Sequence, residues 1–355
     1  MTVVSTKGRD GEAEEAYLFR NNHSFSPEVE SVYRLFTAII PCVTGVGCLY
    51  QAAAAARDMR NYPPPGSMLA IDGCGMHVQT AGSGSPTVVL EAGLGGMSSA
   101  WAWIQAETAK FSRVISYDRA GLGWSEMAIA PKTARLAVDR LRAILQYTEA
   151  FPPYILVGHS MGGLLIRVFA DLFPDEVAGM VQVDAAHPDM HMRSAAIDRH
   201  MRTGFRVLRA VPLLVQLGYI RLTGFFNAWT EGLPPQQAAE TKAFLSSFRH
   251  LRTTRDESLA WESVCAEVRD TGTLGNIPLA VVTACHAVLP GHPEMQEELV
   301  ALSRDSIHIT VRGANHVTLI TQREHAQSVV EAIRIVVDRG MSQWHRKKKR
   351  HALTG

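Results

Sequence analysis

The chain lacks an excess of charge of either sign. Its 35 Lys and Arg face 34 Asp and Glu, a formal net charge of +1, so no global field draws it to nucleic acid, and none is expected as a partner. Charged residues are few, 19% against 46% hydrophobic, which excludes a disordered chain. Cysteines are sparse and odd in number. Cys42, Cys48, Cys74, Cys265 and Cys285 include no CxxC pair, so neither a disulfide framework nor a zinc site follows. Free, mostly buried thiols are expected, and they mildly favour a reducing compartment. There is no internal repeat. His187 and Asp189 lie near each other without a third ligand at metal-binding spacing, so they read as a local turn.

What is present comes in blocks. Residues 1–34 are polar and mixed in charge. An uncharged stretch then runs from Leu35 to Ala56, between Arg34 and Arg57. Its length meets the ~20 apolar residues of a membrane span, so a transmembrane or membrane-associated helix is expected over 35–57. A membrane-associated location follows, with a cytoplasmic one as the alternative. Thr37, Thr44, Gln51 and a run of alanines dilute the stretch, and Pro41 would kink it. The alternative for the segment is an apolar helix lying against the following domain. Acidic residues upstream, Asp10 to Glu15 among them, are unlike the basic start of a signal peptide. Tyr62-Pro63-Pro64-Pro65-Gly66, within residues 58–67, reads as a stiff linker. At the other end, 341–355 holds Arg346-Lys347-Lys348-Lys349-Arg350. It is expected as a solvated tail, with a weak contact to anionic lipid as the alternative.

Between them, over 68–340, a hairpin-like start gives way at Thr87 to alternation. Thr87–Leu90, Val114–Tyr117, Tyr154–Val157, Met180–Val183 and Leu279–Thr283 read as buried strands. Ser98–Lys110, Thr133–Glu149, Met161–Leu172 and Gln322–Asp338 read as helices. The alternation predicts an α/β fold, a mostly parallel sheet with helices on both faces. It is interrupted once, from about 186 to 276, by a segment rich in helix formers. That segment reads as a helical cap inserted after the sixth strand, over the sheet end where sites form.

One motif carries chemistry. Tyr154–Val157 runs into Gly158-His159-Ser160-Met161-Gly162, and a helix pattern follows. Glycines two residues either side of Ser160 permit a sharp strand-to-helix turn. Such a turn presents the hydroxyl in front of a helix N-terminus, whose dipole stabilises developing negative charge.

Here the sequence resembles the α/β-hydrolase fold superfamily, most closely its cap-bearing serine esterase and lipase branch. The motifs that carry the resemblance are Leu90–Gly96, Tyr117–Ser125, the turn around Ser160, and Gly313-Ala314-Asn315-His316. The resemblance implies a serine hydrolase cleaving an ester through an acyl-enzyme. C–C bond, lactone or amide hydrolysis and acyl transfer are alternatives on the same triad, and a non-catalytic binding protein is a further one. It implies Ser160 as nucleophile, His316 as base and Asp184, at the end of a buried strand, as the acid. Glu294 is the alternative acid, because the loop Ala284–Glu294, where the family usually places it, holds no aspartate. The resemblance also implies an oxyanion hole from the N–H groups of Leu94 and Met161. The His that the family often has before the donor glycine is Ala92 here, which removes a contact that braces the loop. Asp118 and Arg119 are expected to brace a loop rather than react. Trp101, Trp103 and Trp124 are expected to line the pocket or belong to the core. No cofactor and no metal is implied. The expected partner is a small, hydrophobic acyl substrate, suggested by the apolar cap segment. Aspartate-nucleophile branches, the dehalogenases and epoxide hydrolases, fit a serine here poorly.

Overall fold

Strand-forming runs and amphipathic helices alternate through the computed structural model, which describes residues 27–354, with side chains from 42 to 349. Eight strands form one sheet: β1 Ser67–Ile71, β2 Cys74–Ala81, β3 Thr87–Glu91, β4 Arg113–Tyr117, β5 Tyr154–His159, β6 Val177–Val183, β7 Leu279–Ala284 and β8 Ser306–Val311. Their order is β1-β2-β4-β3-β5-β6-β7-β8. The hairpin β1–β2 pairs antiparallel with itself and with β4, and the rest is parallel. β3, β5, β6 and β7 are buried at every residue, which is why they are continuous apolar runs rather than alternating ones.

The helices are α1 Pro27–Asn61, α2 Ala102–Thr108, α3 Ala134–Tyr147, α4 Met161–Leu172, α5 Met190–Arg193, α6 Ala195–Gln216, α7 Tyr219–Thr223, α8 Pro235–Phe244, α9 Phe248–Leu259, α10 Trp261–Arg269, α11 His292–Val300, α12 Thr318–Thr321 and α13 Arg323–Thr354. One sheet face packs on α3, α4 and α10 through Val138, Leu141, Leu164 and Val264. The other packs on α2 and α13 through Ile104, Val329, Ile333 and Val336.

Helices α5 to α10 occupy the insertion between β6 and β7, where the alternation breaks. They do not act as one layer. Trp261, Val264, Cys265 and Val268 of α10 join the core beside α4. α9 instead drives His250, Thr253, Thr254 and Glu257, all buried, against the loops that follow β3 and β4.

One expectation, the transmembrane one, is corrected. No helix among the described residues is long and apolar enough to cross a membrane. The stretch 35–57 falls within helix α1, and the side chains of its residues 35–41 lie outside the described ones. A compact unit begins at Cys48, and the part of α1 within it lies on the insertion. Gln51 Nε2 donates to Ser246 O at 2.7 Å, and Asp58 pairs with Arg221 at 2.7 Å. Through the basic stretch 341–355, helix α13 continues to Thr354, with Arg346 to Lys349 exposed and Lys347 Nζ 2.7 Å from Asp175. Of the polar segment 1–34, residues 1–26 lie outside the described residues.

Candidate active site

Ser160 sits between β5 and α4 with φ 53° and ψ −120°, a conformation that a non-glycine residue adopts only when its surroundings enforce it. The glycines make it sterically feasible. A Cβ on Gly162 would stand 2.2 Å from the Glu91 carbonyl oxygen, and one on Gly158 would stand 2.6 Å from Gly162. The Ser160 backbone is tied to the end of β6: its N–H donates to Val183 O at 3.2 Å and its carbonyl accepts from Ala186 N at 3.0 Å. Met161 opens α4, so its N–H has no helical acceptor, and none is found for it among the described residues.

Asp184 follows β6 with φ 43°, and its side chain is buried. Oδ1 accepts the Ala284 N–H at 3.0 Å and lies 3.3 Å from His292 Nε2. Oδ2 lies 2.6 Å from His316 Nδ1. Burial alone would raise the Asp184 pKa. The neighbouring imidazoles of His292 and His316 outweigh it and hold the carboxyl well below the usual range. An ionised carboxylate can only accept, so Nδ1 of His316 is the donor in this contact. His316 lies after β8 and before α12, on a turn fixed by Asn315 Oδ1, which accepts from Val317 N and Thr318 N. Its side chain is 48% exposed, open to a substrate. The Ser160 hydroxyl makes no hydrogen bond with His316 as the side chains stand; such bonds commonly tighten only around substrate. Glu294 stands exposed in the first turn of α11, and the carboxylate on His316 is that of Asp184.

Two histidines near the site escaped sequence reasoning. The His159 ring stacks on His316, with centroids 4.5 Å apart, and its Nε2 lies 2.9 Å from the His316 carbonyl oxygen. Burial, with the His316 charge adding to it, pushes the His159 pKa down to about 3, so the ring is neutral and Nε2 donates. Its position inside the serine turn was the available signal. His292 gave none, because only the fold brings α11 to Asp184.

The loop after β3 passes beside Ser160: a Cβ on Gly93 would lie 3.0 Å from Ser160 Cβ. The Leu94 N–H that follows has no acceptor among the described residues. Bracing comes from elsewhere than the missing His. Arg119 donates to the carbonyls of Ala92 and Gly93, both at 2.6 Å. It also pairs with Glu91 at 2.7 Å and Glu257 at 2.8 Å. Glu257 in turn accepts the Gly95 N–H at 2.9 Å. His250 Nε2 lies 2.9 Å from Gly95 O, while its Nδ1 accepts the Gly123 N–H at 3.0 Å. Burial raises the pKa of Glu257, but the Arg119 charge outweighs it and keeps the glutamate ionised. Asp118 braces the neighbouring loop, accepting from Ser98 N at 2.7 Å and Trp124 N at 3.0 Å.

Trp101 is fully buried in the core. Trp124 packs on His77 and Phe244. Trp103 donates to Gly232 O at 2.8 Å. His187 Nδ1 accepts the Asp189 N–H at 3.2 Å in a local turn.

A family model described as the alpha/beta hydrolase fold matches residues 86–254, the stretch from the start of β3 into α9. The chain has the α/β-hydrolase fold. An esterase from Thermogutta terrifontis superposes with a TM-score of 0.55 at 21% identity, over 76% of this chain and 97% of its own. The Cif epoxide hydrolase of Acinetobacter nosocomialis superposes at 0.66 with 15% identity, over 82% and 96%. These hydrolase-fold likenesses concern architecture alone. In sequence, the chain is 37% identical over 120 residues to the uncharacterized protein YqjL of Bacillus subtilis, covering 34% of this chain and 47% of YqjL. The match thus spans less than half of that relative.

Proposed function

We propose that the protein is a serine hydrolase that cleaves a carboxylic ester through an acyl-enzyme on Ser160. The observation that carries this reading is the 2.6 Å contact of His316 Nδ1 with the buried Asp184 carboxylate, with Ser160 held at φ 53° on the neighbouring turn. An ionised acid on Nδ1 fixes the tautomer in which Nε2 acts as base. In the proposed reaction the Ser160 hydroxyl oxygen attacks the ester carbonyl carbon while Nε2 takes its proton. Negative charge builds on the carbonyl oxygen, where the Leu94 and Met161 N–H groups receive it. The tetrahedral intermediate collapses, the C–O bond breaks, and the alcohol leaves with the proton from Nε2. Water, deprotonated by the same nitrogen, then releases the acid and restores Ser160. Some solved neighbours are named as epoxide hydrolases; a serine at position 160 supports the acyl route instead.

A hydrophobic acyl group and peripheral membrane association through residues 35–56 complete the proposal. Val43, Val46 and Leu49, exposed along α1, support the second. Labelling with a fluorophosphonate probe tests the core reading: wild type should label, and Ser160→Ala and His316→Ala should not. Equal labelling of all three would refute it. Hydrolysis of p-nitrophenyl esters of rising chain length tests the acyl preference, and co-flotation with vesicles tests the association.

A further inference from the structure

A cavity of about 50 Å³ lies among β2, α3, α4 and α10. Ser160, Asp184, His316 and Leu94 are not in its walls. Those walls hold three cations, Arg119, Lys132 and Arg140, against one carboxylate, Glu257. Arg119 is fully engaged, as described above. Arg140 is not. Its side chain is only 10% exposed, and its nearest carboxylate oxygen, on the largely exposed Asp72, stands 3.9 Å away. Its Nε is buried with no hydrogen-bond partner among the described residues. Leaving a buried donor of a charged group unpaired is among the costlier arrangements in a folded chain. Lys132 Nζ donates to Ala120 O at 2.8 Å and has two further N–H groups to offer. Burial lowers its pKa; Glu257 works against this, and the Arg119 and Arg140 charges add to it, so an anion beside it would relieve both.

The rest of the lining is mostly apolar, with Met76, Leu136, Met161 and Leu165 prominent; its two hydroxyls are already engaged, Tyr117 with Glu91 and Thr133 with the Leu136 N–H. Roughly 10–15 Å³ of such space admits one water, so the cavity takes a ligand of a few heavy atoms. An inorganic anion would leave the apolar wall unused.

We infer that this cavity is a binding site for a short-chain monocarboxylate, its carboxylate between Arg140 and Lys132 and its hydrocarbon end on Met161 and Leu165. The site does not depend on the proposed reaction. It does adjoin the reaction's machinery, because Met161 follows Ser160 and Glu257 braces the loop that carries Leu94.

The test is titration of the full-length protein with sodium butyrate by calorimetry, at constant ionic strength, with ¹³C-butyrate line broadening as a second readout. Saturable one-to-one binding is expected. Arg140→Gln and Lys132→Met should each weaken it at least tenfold with an unchanged circular dichroism spectrum. Arg140→Lys, which keeps the charge and covers the case of a misfolded Gln variant, should weaken it less. Ser160→Ala should bind as wild type does. No saturable binding, binding indifferent to Arg140 and Lys132, or loss in Ser160→Ala would each overturn the inference. So would displacement of butyrate by equimolar chloride or phosphate, which would make this an inorganic-anion site.

Discussion

His159 Nε2 donates to the carbonyl oxygen of His316 across 2.9 Å, with the two rings stacked. His159, next to the proposed nucleophile Ser160, thus holds the backbone of His316, the proposed base. His159→Ala should lose a buried hydrogen bond and ring packing together, about 2 kcal/mol of stability. The loosened His316 should cost roughly tenfold or more in kcat, since small displacements of a catalytic group are expensive. Thermal unfolding and ester hydrolysis read the two effects separately. Unchanged kcat alongside lowered stability would confine His159 to packing.

Asp184 and Glu294 make opposite predictions. Asp184→Asn should lower kcat by about ten-thousand-fold, because the amide permits the wrong imidazole tautomer. Glu294→Gln should leave kcat within twofold. Steady-state kinetics on both variants decides between the two carboxylates, and the reverse pattern would move the acid to α11.

Glu257 bridges Arg119 and the Gly95 N–H. Replacing it with Gln removes one partner of a buried ion pair, which should cost about 3 kcal/mol. The loop bearing Leu94 loses an anchor at the same time, so kcat should fall with KM little changed, as befits an interaction made in the transition state. Denaturant unfolding and kinetics measure the pair. A variant with wild-type kcat would separate the brace from catalysis.

His250 imposes a pH dependence on stability. Burial lowers its folded pKa to about 4, against roughly 6.5 when unfolded. A proton on Nδ1 would replace the acceptor that Gly123 N–H needs. Above pH 6.5 the ring is neutral in both states and its contribution is complete. Between 6.5 and 4 the unfolded chain binds a proton that the folded chain refuses, so stability falls with pH, by roughly 3 kcal/mol at the lower end. His159, at about 3, acts in the same direction. His77 acts oppositely: burial lowers its pKa, but Asp118 outweighs this and raises it, so its contribution is lost as pH rises. His250→Gln, whose amide can serve both Gly95 and Gly123, should flatten the acid side. The check is thermal midpoints of both proteins from pH 4 to 7.

How much of this was legible from the residues depends on the reach of the interaction. The serine turn, the buried strands and the placing of Asp184 at a strand end rest on local patterns of apolar runs, glycines and a helix start. Their boundaries differ by a few residues, as with β6, which begins at Val177 rather than Met180. α1 and α13 run further than expected, because helix continuation through polar residues leaves no apolar period to read. The brace was not legible. Arg119 meets Glu257, and Gly123 meets His250, each across more than 120 residues, and no local period links them. His292 is hidden for the same reason.

The inserted segment is less exchangeable than its position suggests. By supplying Glu257 and His250 to the loop after β3, α9 is part of the scaffold that shapes the reacting end of the sheet. A chimaera that grafts a different insertion between β6 and β7 would inherit an unsupported Ala92–Gly95 loop unless α9 travelled with the host. Lineages that remodel substrate choice by trading this segment would therefore have to vary α6 to α8 and leave α9 in place.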